Sequence, residues 1–414
     1  MKRPASQEGY ELTLGQPDAP AVEVAPGAEP ATPGEWVRKN LFSSRSSGAL
    51  TVVTAALAVW ILAKAIGFVF VDADWSVLKA NLRVYMVGRF PLAEIWRVWT
   101  DVFVIAFLVG LTRGVQPALP WTPRRLVRWV LLGGITVSVL LYLVESGRVL
   151  LLVGAALAVL AVGVAIGRRL GRALRVPLLL AWILAFPFVV VVLRGFGGVK
   201  PENWGGFLLN VIVAVVAIFV SFPIGLLLAL GRRSTLPAVR IFSVGFIEFI
   251  RGVPLVTLLI FGVFAFELLL PPGLRLPNIV LAMIMFVIFS SAYVAEIVRG
   301  GLQGIPEGQY EASRALGLRY PRMMGLVVLP QALRNTIPSM ISHFISLFKD
   351  TSLLAAVGLF SDLLSNANRA TRDPDFIGLE PEALLPAALM FWGVAYTMAK
   401  WSQRVEKRVG VGER

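Results

Sequence analysis

Residues 279–298 read Ile-Val-Leu-Ala-Met-Ile-Met-Phe-Val-Ile-Phe-Ser-Ser-Ala-Tyr-Val-Ala-Glu-Ile-Val, an almost unbroken apolar run. A helix of ~20 such residues, rising 1.5 Å per residue, matches the ~30 Å hydrocarbon layer of a bilayer. Runs of the same kind recur along the chain, which is 57% hydrophobic and only 15% charged. Its mean hydropathy is +0.76. A soluble domain would need far more polar surface than this composition supplies. The fold class expected is therefore an all-α polytopic membrane protein.

Working outward, a ~20-residue criterion gives about ten spans. Five are expected near 49–70, 95–111, 126–144, 149–167 and 176–193. Five more are expected near 205–230, 253–270, 279–298, 335–347 and 384–400. The stretch 239–270 is too long for one straight crossing. Gly252 and Pro254 offer a break, because proline removes a backbone donor and restricts its predecessor. A surface helix is expected before the break and a span after it. Residues 1–34 are rich in Pro, Ala, Glu and Gly, with almost no apolar cluster, and are expected to be disordered. Trp36 to Phe42 mixes aromatic and basic residues and suits a membrane surface. Three regions follow: 1–47 as a disordered or interfacial N-terminus, 48–195 as additional N-terminal helices, and 204–403 as a second helical unit.

The formal charge of +14 falls mainly in short connectors between spans. Arg113, Arg124, Arg125 and Arg128 surround one connector. Arg168, Arg169, Arg172 and Arg175 fill the next. Arg232, Arg233 and Arg240, then Arg299, Arg314, Arg319 and Arg322, fill two more. With ten spans these all lie on one side, which is the positive-inside pattern rather than a nucleic-acid footprint. Both termini are then cytoplasmic. No cysteine is present and His343 is the single histidine. Thiolate metal sites and a cysteine nucleophile are excluded, and a histidine-built metal site has almost no material.

One connector carries a spaced motif. It reads Glu311-Ala312-Ser313-Arg314-Ala315-Leu316-Gly317-Leu318 and then Val327-Val328-Leu329-Pro330. After Pro306, residues 307–320 suit a short helix. Ala312, Ala315 and Leu316 fall on one face, with Arg314 off it. Gly317 lets the chain turn tightly at the helix end. The pattern resembles the Glu-Ala-Ala loop of bacterial ABC importer permeases, with Ser313 for the second alanine and Val327 for isoleucine. Ser221-Phe222-Pro223-Ile224-Gly225, Phe249 to Leu255, Ala292 to Glu296 and Phe348 to Leu353 are similar to the polar amino acid branch of that family. The resemblance runs from Trp204 to the C-terminus. Residues 49–193 look like the extra region of its long members.

The resemblance implies a five-helix type I importer core with a cytoplasmic coupling loop at 303–330. In it, Glu311, Ala312, Ser313, Gly317, Leu329 and Pro330 would couple the chain to an ATPase. It implies a transport subunit rather than an enzyme, carrying amino acids by alternating access in the bacterial inner membrane. The implied partners are two ATP-binding subunits, a homologous permease forming a heterodimer, a periplasmic amino-acid-binding protein and the lipid bilayer. No Walker A sequence is present, so ATP and Mg would be bound by the partner ATPase and no cofactor by this chain. The alternative is an ion-gradient-driven secondary transporter, for which Glu267 and Asp350 are thin candidates and the 311–330 loop has no use.

Charges in spans are costly and functional by default. Lys349 and Asp350, beside Thr351 and Ser352, offer a donor and an acceptor to a zwitterion, or else pair with each other at a helix break. Glu248-x-x-Arg251 and Glu296-x-x-Arg299 each place a pair on one helix side. They brace an inner gate or are solvated helix ends. His343 lines the path with Ser342 or is a hydrogen-bonded core histidine.

Overall fold

The computed structural model describes residues 32–115 and 147–409. The segment 1–31 and the expected third span, 126–144, lie outside these residues. The chain divides into two compact units, Met1–Ala73 and Asp74–Arg414.

In the first unit, α1 (Pro33–Leu41) opens with a capping box. Thr32 Oγ1 accepts from the Glu35 amide at 3.3 Å, and Glu35 Oε2 accepts from the Thr32 amide at 3.0 Å. A long apolar helix follows, α2 (Arg45–Gly67), extended by a π turn to Asp72. None of its residues is buried, and Leu50, Trp60 and Ile61 are among those exposed. Such a surface is stable where lipid is the solvent.

The second unit is a helical assembly. Its first element, α3 (Ser76–Val87), is too short to cross a membrane and was not expected from the sequence. It packs against the C-terminal half rather than with its chain neighbours. Tyr85 Oη donates to the Ala383 carbonyl at 3.1 Å, and Asn366 Nδ2 donates to the Val84 carbonyl at 2.9 Å.

Next come α4 (Ile95–Val115), α5 (Gly147–Leu170) and α6 (Arg175–Arg194). Lipid tails are as apolar as leucine, so membrane helices associate by close contact and polar bonds. α4 and α5 cross on two small-residue pairs, Gly110/Gly114 and Gly163/Gly167. A Cβ at Gly110 would lie 2.2 Å from the Leu160 carbonyl oxygen, and one at Gly167 would lie 2.5 Å from that of Leu111. α6 joins them through Trp182 Nε1, which donates to Thr112 Oγ1 at 2.9 Å. The polar start of α4 also has its reason here. Arg97 is buried; its Nε donates to Glu94 Oε2 at 2.6 Å and its Nη1 to the Val192 carbonyl at 2.7 Å, holding the end of α6.

The core of the unit is α7 (Gly206–Arg232) against α10 (Asn278–Gln303). Between them in sequence lie α8 (Pro237–Gly252) and α9 (Leu255–Phe264), bent by 103° at Val253-Pro254. The expected break is present. The span expected after it is a ten-residue helix, about 15 Å long, which does not cross a bilayer alone. α11 (Glu307–Ala315) and a short turn from Tyr320 lead into α13, with α12 denoting Tyr320–Met323. α13 runs Leu329–Asp350, α14 Leu354–Val357, α15 Leu363–Ala370 and α16 Glu380–Val409.

Among the described residues, eight helices are long and apolar enough to cross a membrane, or nine if α8 with α9 counts as one. The eight correspond to eight of the ten expected spans; of the other two, 126–144 lies outside the described residues and 253–270 is corrected to the short α9. The expected ninth span is corrected in extent. It begins well before Asn335 and continues through a 3-10 turn at Thr351–Leu353 to Val357. No helix break sits at Lys349–Asp350. The turn of the chain comes at Gly358, with φ +76°.

The glycine seam carries a prediction. Gly110→Leu or Gly163→Leu should force α4 and α5 apart, costing about 1–3 kcal/mol or more. Gly154→Leu should cost little, because a Cβ there meets nothing within 4 Å. Thermal unfolding of the purified chain in detergent checks the contrast.

Candidate functional site

The spaced motif builds a small, rigid projection. α11 ends in a two-bond cap: the Gly317 amide donates to the Arg314 carbonyl at 2.9 Å, and the Leu318 amide to the Ser313 carbonyl at 3.1 Å. This arrangement needs a left-handed residue after the helix, and Gly317 has φ +71°. The expected helix therefore stops at Ala315 instead of reaching Tyr320.

The two faces of α11 differ. Glu311, Ala312, Ala315 and Leu316 are exposed, Leu316 to 79%. Tyr310 and Ser313 are buried. Ser313, grouped with Glu311 and Ala312 among the expected coupling residues, is not on the exposed face. It instead faces inward at 2% exposure, and its Oγ donates to the Gln309 carbonyl at 2.7 Å. A hydroxyl that folds back onto its own helix takes an alanine's place without leaving a polar atom unpaired. Leu329 is half-buried and Pro330 exposed in the first turn of α13, where no amide is needed. Gln331 Nε2 donates to Gln309 Oε1 at 3.0 Å, tying that turn to α11.

The buried face of α11 is wired to the core. Arg233, at the end of α7, donates from Nη1 to Tyr310 Oη at 3.1 Å, and its guanidinium lies 5.7 Å from the Tyr310 ring centroid. Its neighbour Arg232 enters an ion cluster with Glu248, Arg251, Glu296 and Arg299. Arg232 Nη1 lies 2.8 Å from Glu248 Oε1 and 3.6 Å from Glu296 Oε2. Arg251 Nη1 lies 3.9 Å from Glu248 Oε2 and 3.8 Å from Glu296 Oε2. Arg299 pairs with Glu296 through two nitrogens. The two i,i+3 pairs expected from sequence thus meet, joining α7, α8 and α10. Arg232 is the member the sequence did not single out, since it reads there as one more connector charge.

A polar chain continues from this cluster into the core. Arg251 sits 5.9 Å from the Tyr293 ring centroid, and Tyr293 stacks on His343 at 5.5 Å and 10°. His343 Nε2 lies 3.0 Å from Ser290 Oγ, and Ser290 Oγ lies 2.8 Å from Ser221 Oγ.

The remaining expected path residues do not converge. Lys349 is exposed and Asp350 half-buried, and no ion pair joins them among the described residues. Thr351 is fully buried; its Oγ1 donates to the Phe348 carbonyl at 2.7 Å and accepts from Asn210 Nδ2 at 3.2 Å. Asn210 in turn accepts from the Leu363 amide at 3.0 Å. Thr351 therefore belongs to a structural lock between α7, α13 and α15, completed by Asp362, which caps α15 through the Leu364 and Ser365 amides. Burial pushes the Asp362 carboxyl above its usual range, against the opposing pull of the Ser365 and Leu364 hydrogen bonds. Ser352 is half-buried beside it. Among the described residues no group of three or more His, Cys, Asp or Glu side chains is placed to hold a metal ion.

Comparison with known proteins matches residues 221–411 to the binding-protein-dependent transport system inner membrane component family. The inner membrane amino-acid ABC transporter permease protein YhdY of Escherichia coli K12 is 36% identical over 91% of this chain and 93% of its own. The glutamate/glutamine/aspartate/asparagine transport system permease protein BztC of Rhodobacter capsulatus is 34% identical, over 91% of this chain and 93% of its own. The probable glutamine ABC transporter permease protein GlnP of Bacillus subtilis is 37% identical over only 50% of this chain but 92% of its own.

The cap at Gly317 is open to test. A left-handed conformation costs a β-branched residue about 1–2 kcal/mol. Gly317→Val should speed amide exchange across residues 313–318 while leaving the exchange of α7 and α10 unchanged. Hydrogen–deuterium exchange read by mass spectrometry decides it.

Proposed function

Because this chain belongs to the family of binding-protein-dependent, ABC-type inner-membrane transport components, we propose that it is an amino acid importer's permease subunit, driven through α11 by ATPase subunits that bind ATP and Mg. The observation that carries the coupling role is the two-faced α11. Its exposed Glu311, Ala312, Ala315 and Leu316 form a knob, and its buried Tyr310 grips Arg233. A push on the knob is felt at the end of α7, and the Arg232 cluster passes it to α8 and α10. In this reading Glu248, Arg251, Glu296 and Arg299 brace the inner gate.

The partners proposed are two ATP-binding subunits, a homologous permease and an external amino-acid-binding protein. The substrate class rests on the relatives named above, and ATP hydrolysis belongs to the partner subunits. The ends of α7 support an orientation. Its Arg232 end gathers Arg233, Arg251, Arg299 and Arg314, whereas at its other end the Gly206 amide donates a hydrogen bond to the Ser361 carbonyl at 2.6 Å and stands near Tyr85. The arginine-rich end is cytoplasmic by the positive-inside rule. Both termini are then cytoplasmic as well.

Two measurements test this. Glu311→Lys or Leu316→Asp, in the assembled complex, should lower ATP-driven amino acid uptake about tenfold or more while membrane abundance holds, since one unpaired charge at a docked surface costs about 2 kcal/mol. Wild-type uptake and normal retention of the ATPase by both variants would remove α11 from the coupling route. Reporter fusions at Gly171 and at the C-terminus should both report the cytoplasm, and a periplasmic signal at either would overturn the orientation.

A further inference from the structure

Along α13, from Asn335 to Asp350, the exposed residues are Asn335, Ser339, Ser342, Ser346 and Lys349. Every one is polar. Their spacing of four, three, four and three residues puts them on a single stripe of the helix. The stripe is about 21 Å long at 1.5 Å per residue, most of the hydrocarbon thickness. Other spans of the chain expose leucine, valine and phenylalanine instead, as at Leu227, Val215 and Phe219 on α7. The apolar and aromatic residues of α13, Ile341, Leu347 and Phe348, point the other way and are buried.

An amide or an ammonium facing hydrocarbon has no hydrogen-bond partner, and a serine hydroxyl has only the carbonyls of its own helix, so a stripe that combines all three faces protein or a water-filled passage. A dry protein interface would still need a partner for each group, and the flexible ammonium of Lys349 would be the most costly to desolvate. The stripe bears one cation and no carboxylate; Asp350 lies off it, half-buried.

We propose that this stripe is the chain's wall of the translocation passage, and that Lys349 makes the passage selective for amino acids of net negative charge over their neutral amides. The inference rests on the permease reading above and adds which residues line the path and which charge they favour. The Lys349 cation on the stripe lowers the free energy of an anionic zwitterion, such as glutamate or aspartate, more than that of glutamine or asparagine. The hydroxyls and the amide accept and donate, so they replace water around the α-ammonium and α-carboxylate of all four.

The absence of cysteine makes the test direct, because each introduced thiol is unique in the chain. In membrane vesicles holding the assembled importer, Ser339→Cys, Ser342→Cys and Ser346→Cys are treated with a charged, membrane-impermeant thiol reagent, with Leu227→Cys as the lipid-facing control. Labelling of the three at least tenfold faster than the control, slowed by substrate with ATP, is expected. Labelling as slow as the control, in a complex whose wild-type uptake is intact, would make the stripe a dry contact and overturn the proposal. Absence of ATP-driven uptake by the wild type would instead strike the permease reading itself.

For selectivity, Lys349→Met should lower glutamate and aspartate uptake about tenfold relative to glutamine and asparagine, and Lys349→Arg should restore the preference. An equal fall for all four substrates would overturn the charge selectivity.

Discussion

Ser221 and Gly225 on α7 lie against Ser290, Ser291 and Val294 on α10, so close that a Cβ at Gly225 would stand 2.5 Å from Val294 Cγ1. In lipid no hydrophobic force drives two apolar helices together. What holds them is dispersion at short range and the hydroxyl bond between Ser221 and Ser290. The rest of the second unit is arranged around this crossing. His343 joins it from α13 through the same serine, and Tyr293 lays its ring over that histidine. α8 crosses the end of α7 just as closely, with Ser243 Oγ where a side chain at Gly231 would be. A helix pair so tightly matched moves as one body, which is what a lever needs.

The two ends of that body do different work. At one end Asn210 donates to Thr351 and accepts from the Leu363 amide, and Asn366 accepts from Ser361 and donates to the Val84 carbonyl, fixing α7, α13, α15 and α3 to each other. At the other end the contacts are ionic and shared: Glu296 lies within 4 Å of Arg232, Arg251 and Arg299. Buried neutral hydrogen bonds are directional and lose most of their worth when displaced. Part-exposed ion pairs tolerate exchange of partners at small cost. One end is thereby built to stay and the other to rearrange.

Much of this was legible in the residues. The eight-residue motif around Glu311, with Gly317 at its fixed place, announced a capped helix and its exposed face, because a turn with positive φ has few chemical solutions. The break at Gly252-Pro254 is legible for a different reason, because proline removes a backbone donor and restricts its predecessor. Three features were not. The ninth span reaches beyond 335–347 because Gln331 and Arg334 on one side and Lys349 and Asp350 on the other interrupt the apolar run, and an apolar average does not carry across them. The burial of Ser313 is not legible in the motif, because its inward turn depends on where α11 sits. The Gly110/Gly114 and Gly163/Gly167 pairs stood in the sequence at four-residue spacing, but only a three-dimensional crossing says that the two face each other.

Asp101 and Arg97 lie one turn apart on α4, both buried, and both oxygens of Asp101 lack a hydrogen-bond partner among the described residues. A charged residue is costly to place in lipid, by up to about 2.5–3.5 kcal/mol at a helix centre and less towards an end such as that of Arg97. The groups that relieve Arg97, the carbonyls of Val192 and Gly195, are synthesised some ninety-five residues later, as are the glycines of α5 some fifty residues later. The polar groups of α4 thus find their partners, and its glycines their facing surface, only on helices made after it, so that α4, α5 and α6 reach their joint structure only once all three have been synthesised.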